Sequence, residues 1–305
     1  MGPTAAGKTD LAIQIAKHYP VEIISVDSAL VYRGMNIGTA KPEADVLQQY
    51  PHHLVNIIEP TESYSVGEFR QDALALMKDI TDRGKVPLLV GGTMLYFKAL
   101  QQGLSDLPSA DSKIRAQLEA EAEQYGLSHL HARLAQVDPV SAERIHVNDP
   151  QRLQRALEVY EITGKSLTEL TAVKEDSLPY RVIKIILSPF DRAVLHQRIE
   201  TRYKIMMEHG FIDEVKELFA NKDCHPDLPA IRAVGYRQAW AHLSGEYDQE
   251  TLVEKAVIAT RQMAKRQLTW LRAQDDGIWF DSGAGLPTDD VLGFIADQCP
   301  ELMLK

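Results

Sequence analysis

Long apolar runs are missing from this chain, and no stretch approaches the ~20 residues that a membrane-spanning helix needs. No secretory signal pattern is read at its start. Cysteine is scarce: Cys224 and Cys299 are the two in 305 residues, far apart and in no C-x-x-C spacing. That excludes a disulfide framework and a zinc site, and it fits a reducing cytoplasm. Positive charge is also short, with 33 Lys and Arg against 43 Asp and Glu and a formal net charge of −10. A generic nucleic-acid binder is usually basic overall, so any such contact has to come from a local basic face. Internal repeats and low-complexity tracts are absent. What remains, 45% hydrophobic and 25% charged residues, is ordinary globular composition, enough for one large domain or two modest ones.

The first informative stretch is the first one. Gly2, Pro3, Thr4, Ala5, Ala6, Gly7, Lys8 and Thr9 spell G-x-x-x-x-G-K-[ST], the spacing of a phosphate-binding loop. Glycines at both ends let the backbone curl until several N–H groups share one concavity, and a following helix adds its positive end. Lys8 supplies a point charge for adjacent phosphates and the Thr9 hydroxyl a ligand for Mg²⁺. Leu11, Ala12, Ile15 and Ala16 recur at helical spacing directly behind, which is the context the motif requires. The loop reads phosphates, not what they are attached to.

Val21 to Val26 is β-branched and apolar, as expected of a buried parallel strand, and Val86 to Val90 repeats the pattern. Between them, Leu30 to Pro60 reads as a long functional loop with short elements. Ser65 and Glu68 form a capping box for a helix that Gly84 stops. Strand and helix in alternation predict an α/β fold: a phosphate-loop-type parallel sheet flanked by helices. The rhythm breaks at a linker-like stretch, Gly103 to Asp111, and no strand pattern follows until about Lys174. Asp138-Pro139 and Asp149-Pro150 look like N-caps with proline at the first helical position, Gly164 like a helix stop, and Ser166 to Glu169 like a second capping box. Arg181 to Leu187 returns to the sheet, helices dominate after it, and Ile278 to Phe280 is a candidate last strand. The expected division is 1–108 and 180–305 for the core and 109–179 for an all-helical insertion.

Asp27 closes the first strand. In such proteins this carboxylate either touches Mg²⁺ or its waters, or serves the acceptor as general base, and the sequence leaves both open. Gly91, Gly92 and Thr93 end the second strand at the same edge, where ligands of open α/β sheets bind. Kinases of this class often carry a carboxylate there, and this chain has none. Arg202 lies among Arg192, Arg198 and Lys204 on a helix behind a core strand, where an arginine can reach a diphosphate. From Lys255 to Gln274 there are five basic residues, one tryptophan and no acid: Lys255, Arg261, Lys265, Arg266 and Arg272, with Trp270 among them. That suits phosphate contacts plus base stacking, against the plainer alternative of a basic face paired with acidic helices.

Together with Asp27 to Leu30, Gly38 to Pro42, Leu89 to Tyr96, Asp149 to Arg155, Arg232 to Arg237 and Lys265 to Arg272, these motifs resemble, in order and over nearly the whole chain, the bacterial tRNA dimethylallyltransferases of the tRNA isopentenyltransferase family. The resemblance implies transfer of a dimethylallyl group from its diphosphate to the exocyclic N6 amine of the adenosine 3′ of the anticodon. It implies a diphosphate site at the loop with Mg²⁺ on Thr9, helped by Arg202; Asp27 as general base; and Thr93 and Arg115 near the reacting groups. It also implies tRNA contacts at Asp27, Ser28, Ala29 and Leu30, at Gln151, Arg152, Leu153, Gln154 and Arg155, and at Arg232, Ala233, Val234, Gly235, Tyr236 and Arg237. The last such segment is Lys265, Arg266, Gln267, Leu268, Thr269, Trp270, Leu271 and Arg272. The helical insertion resembles the part of the family that grips the anticodon stem-loop, and a monomer is expected. No zinc finger follows the last helix, unlike eukaryotic members.

Two rivals stay open at this level: a small-molecule kinase, which would turn over ATP, and a non-enzymatic RNA-binding protein, which would leave RNA unmodified. One further expectation concerns the start. A phosphate loop normally follows a central strand, and Met1 directly precedes Gly2. The natural protein is expected to carry roughly 8–16 more residues there, including an apolar run of strand length.

Overall fold

The computed structural model describes residues 1–105, 107–172 and 178–304. Asp106 of the expected linker and the expected helical limit near Lys174 lie outside these residues. The chain divides into two units, one of residues 1–100 with 180–305 and one of residues 101–179.

In the first unit, α1 (Lys8–His18) leaves the phosphate loop and β1 (Val21–Val26) follows. Next come α2 (Ala44–Gln49), β2 (His52–His53), α3 (Val66–Asp82), β3 (Val86–Gly91) and α4 (Met94–Gln102). The capping box forms as expected: Ser65 accepts from the Glu68 N–H while Glu68 accepts from the Ser65 N–H. The strands are parallel, in the order β2-β1-β3. Register decides what this sheet presents. Val21 pairs with Val86 and Val26 with Gly91, so Asp27-Ser28 and Gly92-Thr93 leave the carboxyl edge side by side. The Thr93 N–H donates to Val26 O at 3.1 Å and completes that edge.

The second unit is helical: α5 (Ser112–Tyr125), α6 (Leu127–Val137), α7 (Pro139–Arg144), α8 (Pro150–Thr163) and α9 (Leu167–Thr171). Asp138 and Asp149 cap α7 and α8 ahead of their prolines, and Gly164 closes α8 at φ 67°. Its core is its own: Leu118, Leu130, Leu134, Ile145, Leu153, Ala156 and Leu157. Tyr125, which helical spacing puts on the same face as Leu118, is exposed and packs beside His129 instead. The stretch before α5 belongs here and not to the core expected to end at 108. The Asp111 N–H donates to Glu158 at 2.9 Å, and Pro108 O accepts from Arg155 at 2.7 Å.

The first unit resumes with β4 (Lys184–Ser188), α10 (Arg192–Glu208), α11 (Phe211–Ala220), α12 (Tyr236–Leu243), α13 (Gln249–Arg272), β5 (Gly277–Asp281), α14 (Thr288–Gln298) and a 3₁₀ turn over Pro300–Leu304. Strands β4 and β5 are parallel. Met1 lies along β4: its amine donates to Ile185 O at 2.7 Å, and the Leu187 N–H donates to Met1 O at 2.9 Å. The phosphate loop is thereby launched from the end of β4. The largest core joins α10 to α13 with residues 31–35 around Met35, Tyr203, Phe211 and Tyr236, each large buried side chain contributing ~1.5–3 kcal/mol. Helix α12 was not expected, although Tyr236, Ala239, Trp240 and Leu243 follow helical spacing.

Candidate active site

Gly7 stands at φ 89° ahead of α1, a left-handed conformation that glycine adopts without strain. Ala5 shares it at φ 63°. The bent loop borders a cavity of about 630 Å³, lined by Thr4 to Thr9, Asp27 to Leu30, Gly91 to Thr93, Arg202 and Gln267. A neighbouring cavity of about 1140 Å³ shares Ala5, Gly7 and Arg202 with it. Lys8 folds back so that its Nζ donates to Pro3 O at 2.6 Å. Burial pulls its ammonium down to about 8, with Asp27 working against the fall and Arg202 adding to it. Arg202 donates to Thr4 Oγ1 at 3.4 Å, and burial lowers its pKa too. Two half-buried cations beside the bent backbone of the loop make a site suited to an anion.

Asp27 uses one oxygen structurally. Oδ1 accepts from the Ala29 N–H at 2.9 Å and the Leu30 N–H at 3.4 Å, while Oδ2 makes no hydrogen bond among the described residues. The carboxylate is held by its own turn and keeps a free acceptor at the cavity. Thr93 accepts from the Ser28 N–H at 3.0 Å, locking the two strand ends together. One cavity therefore joins the phosphate loop and Arg202 to Asp27 and Thr93 of the sheet edge.

The resemblance in the sequence becomes membership here. The model of the IPP transferase family matches residues 30–274, and that of the isopentenyl transferase family residues 1–56. The chain belongs to the IPP transferase family. Among solved structures it is similar to a full-length tRNA isopentenylpyrophosphate transferase of Bacillus halodurans, with 38% identity and TM-score 0.72 over 98% of this chain and 95% of that one. A tRNA delta(2)-isopentenylpyrophosphate transferase of Staphylococcus epidermidis is 34% identical, with TM-score 0.70 over 99% and 97%. A eukaryotic dimethylallyltransferase acting on tRNA is 27% identical, with TM-score 0.83 over 98% of this chain and 78% of that one.

Within this family member, the residues read as RNA contacts divide by exposure. Ser28, Arg232, Arg237, Lys265, Arg266, Thr269, Trp270 and Arg272 are exposed in the first unit, and Gln151 and Arg152 in the second. Lys98 stands over the Trp270 ring at 5.6 Å. Leu153, Gly235, Tyr236 and Leu271 are buried. Leu153, Tyr236 and Leu271 fill cores, and their side chains touch protein, not solvent. Arg155 and Gln154 are half-buried and engaged internally: Arg155 on Glu158 at 2.6 Å, Gln154 on Glu119 at 2.9 Å and Arg115 O at 3.2 Å. Arg115 itself binds Glu158 through Nε at 2.8 Å and Nη2 at 3.2 Å. Glu158 is fully buried; burial raises its pKa, but the hydrogen bonds from Arg115, Arg155 and the Asp111 N–H outweigh that and leave it lowered.

Of two further groups, Glu214 had no sequence signal, and Lys41 stood in the Gly38 to Pro42 motif without a role of its own. Glu214 on α11 accepts from the N–H groups of Asn36 at 2.7 Å, Ile37 at 2.7 Å and Gly38 at 3.0 Å, and from the Tyr236 hydroxyl. It holds the loop that brings Gly38, Thr39 and Ala40 to the cavity wall. Lys41 is buried, donates to Tyr32 O and Asn56 Oδ1 at 2.6 Å each, and is pulled down by burial to about 8.

Among the described residues no group of three or more His, Cys, Asp or Glu forms a ready metal cage. Mg²⁺ commonly binds through substrate phosphates with one or two protein groups and waters. The Thr9 hydroxyl lines the same cavity and fits a metal that arrives with its diphosphate.

Proposed function

We propose that this chain transfers a dimethylallyl group from dimethylallyl diphosphate to the N6 amine of the adenosine 3′ of the anticodon in tRNA. The observation that carries this reading is the free oxygen of Asp27 sharing one cavity with the phosphate loop, in a chain of the IPP transferase family. An adenine amine is a poor nucleophile because its lone pair is delocalised into the ring. As N6 bonds to the allylic carbon, that carbon's bond to diphosphate oxygen breaks and Asp27 Oδ2 accepts the N6 proton. A base so placed is worth typically ~10²–10⁴-fold. Charge growing on the leaving diphosphate falls to the N–H groups of the loop, Lys8 and Arg202. Mg²⁺, held by Thr9 and the diphosphate, would neutralise phosphate charge when bound. Thr93 fixes Ser28 and with it the turn that aims Asp27.

The adenosine must leave its stack to enter, which a tRNA loop permits more readily than a duplex. The exposed cations of α13 and Arg232 and Arg237 engage the RNA in this proposal, and the helical unit engages the anticodon stem-loop through Gln151 and Arg152. The working form is a cytoplasmic monomer. Incubation with tRNA, Mg²⁺ and labelled dimethylallyl diphosphate, followed by nucleoside analysis, tests the proposal. Label in a modified adenosine supports it. ATP turnover without label would point to a kinase, and tight RNA binding without label to a non-enzymatic RNA-binding protein.

A further inference from the structure

Helix α13 presents Lys265, Arg266 and Trp270 outward, whereas Gln267 is half-buried on its inner side. The Gln267 carboxamide spans two parts of the site: Oε1 accepts from the Thr4 N–H at 2.9 Å, and Nε2 donates to Gly92 O at 2.8 Å. One partner is a donor and the other an acceptor, so only an amide of this length and orientation satisfies both. Gly92 leaves room for it: a Cβ at that position would stand 2.6 Å from Gln267 Nε2. Thr93, the next residue, holds Ser28 beside Asp27, and Thr4 begins the bend of the phosphate loop.

We infer that Gln267 is a positioning residue for the transfer proposed above, a brace fixing the phosphate loop against the Gly92-Thr93 turn, and not an RNA contact. Through those two anchors it sets the distance between the diphosphate and the base that takes the proton. Losing it lets the loop and the turn drift apart, and a displacement of about 1 Å in a reacting pair can cost about 10²-fold in rate. The RNA-facing side chains one residue before and three after it are untouched by such a change. This assignment rests on the transferase reading for its rate arm alone.

Gln267→Met keeps the volume and removes both hydrogen bonds. The expected result is a single-turnover rate about 10²-fold lower at saturating tRNA and an affinity for inorganic diphosphate about tenfold weaker. Affinity for tRNA and its salt dependence are expected to be unchanged. Gly92→Ala, which displaces the same amide, is expected to show the same losses, and the double variant to add little to either single one. Gln267→Glu serves if the methionine variant does not fold, since it still accepts from Thr4 but sets an oxygen against Gly92 O; the same pattern is expected. Weaker tRNA binding with a normal rate at saturation would overturn the inference, as would full additivity of the two substitutions. A wild-type chain without transfer activity would sink the transferase reading; the diphosphate affinities would still judge the brace.

Discussion

Asp27 concentrates the chemistry in one carboxylate whose two oxygens have separate tasks, one holding Ala29 and Leu30 and one available to the acceptor. Asp27→Asn keeps the turn because an amide oxygen still accepts, but removes the base. Its single-turnover rate is expected to fall at least ~10²-fold while tRNA affinity, read by filter binding, stays near wild type. Lys8 gives a pH signature. With its pKa at about 8 in the free site, it is charged below that value and loses its proton above it, whereas a bound diphosphate favours the charged form. Affinity for dimethylallyl diphosphate is therefore expected to hold below pH ~8 and to fall by up to ~10-fold per unit above it. Calorimetry near pH 8.5 in two buffers of different ionisation enthalpy should show proton uptake on binding. The loop and Asp27 were legible in the sequence because each is a local signal, a motif of eight residues and an acid at a strand end. The Gln267 brace was not, since its partners lie 175 and 263 residues away, and a lone glutamine in a basic helix reads as a surface residue.

Among the elements, the strands were readable wherever β-branched residues bunch, and the helical unit wherever Asp-Pro and Ser-x-x-Glu mark a start. Helix α12 escaped because it follows a run rich in turns and begins at a glycine without a side-chain cap. Helix α13 shows both the success and the limit of the same reading. Its charge asymmetry was visible, but only packing tells that Leu271 faces the core while Trp270, under Lys98, stays 40% exposed. Replacing Lys265 and Arg266 together with alanine is expected to weaken tRNA binding and to lower the slope of log affinity against log salt, by about one for each phosphate no longer neutralised. Inorganic diphosphate should bind as before. An unchanged slope would return these two cations to a role within the fold.

At the scale of the whole molecule, two units carry separate cores. Leu134→Ala, a fully buried position of the helical unit, is expected to cost ~2–5 kcal/mol there. Hydrogen exchange should rise across 101–179 and stay near wild type in β1 and β3. The arrangement also has a temporal consequence. Residues 1–100 contain the phosphate loop and Asp27, yet Thr4 is anchored by Arg202 and Gln267, and the loop at 36–38 by Glu214. A ribosome adds roughly 5–20 residues each second, so the interval between the first loop and its last anchor is on the order of ten to fifty seconds. During that time the helical unit, complete by residue 179, already has every residue of its own core, while the phosphate site waits. A nascent chain cut short before α13 would thus hold every residue of the helical unit's core and no finished place for the diphosphate.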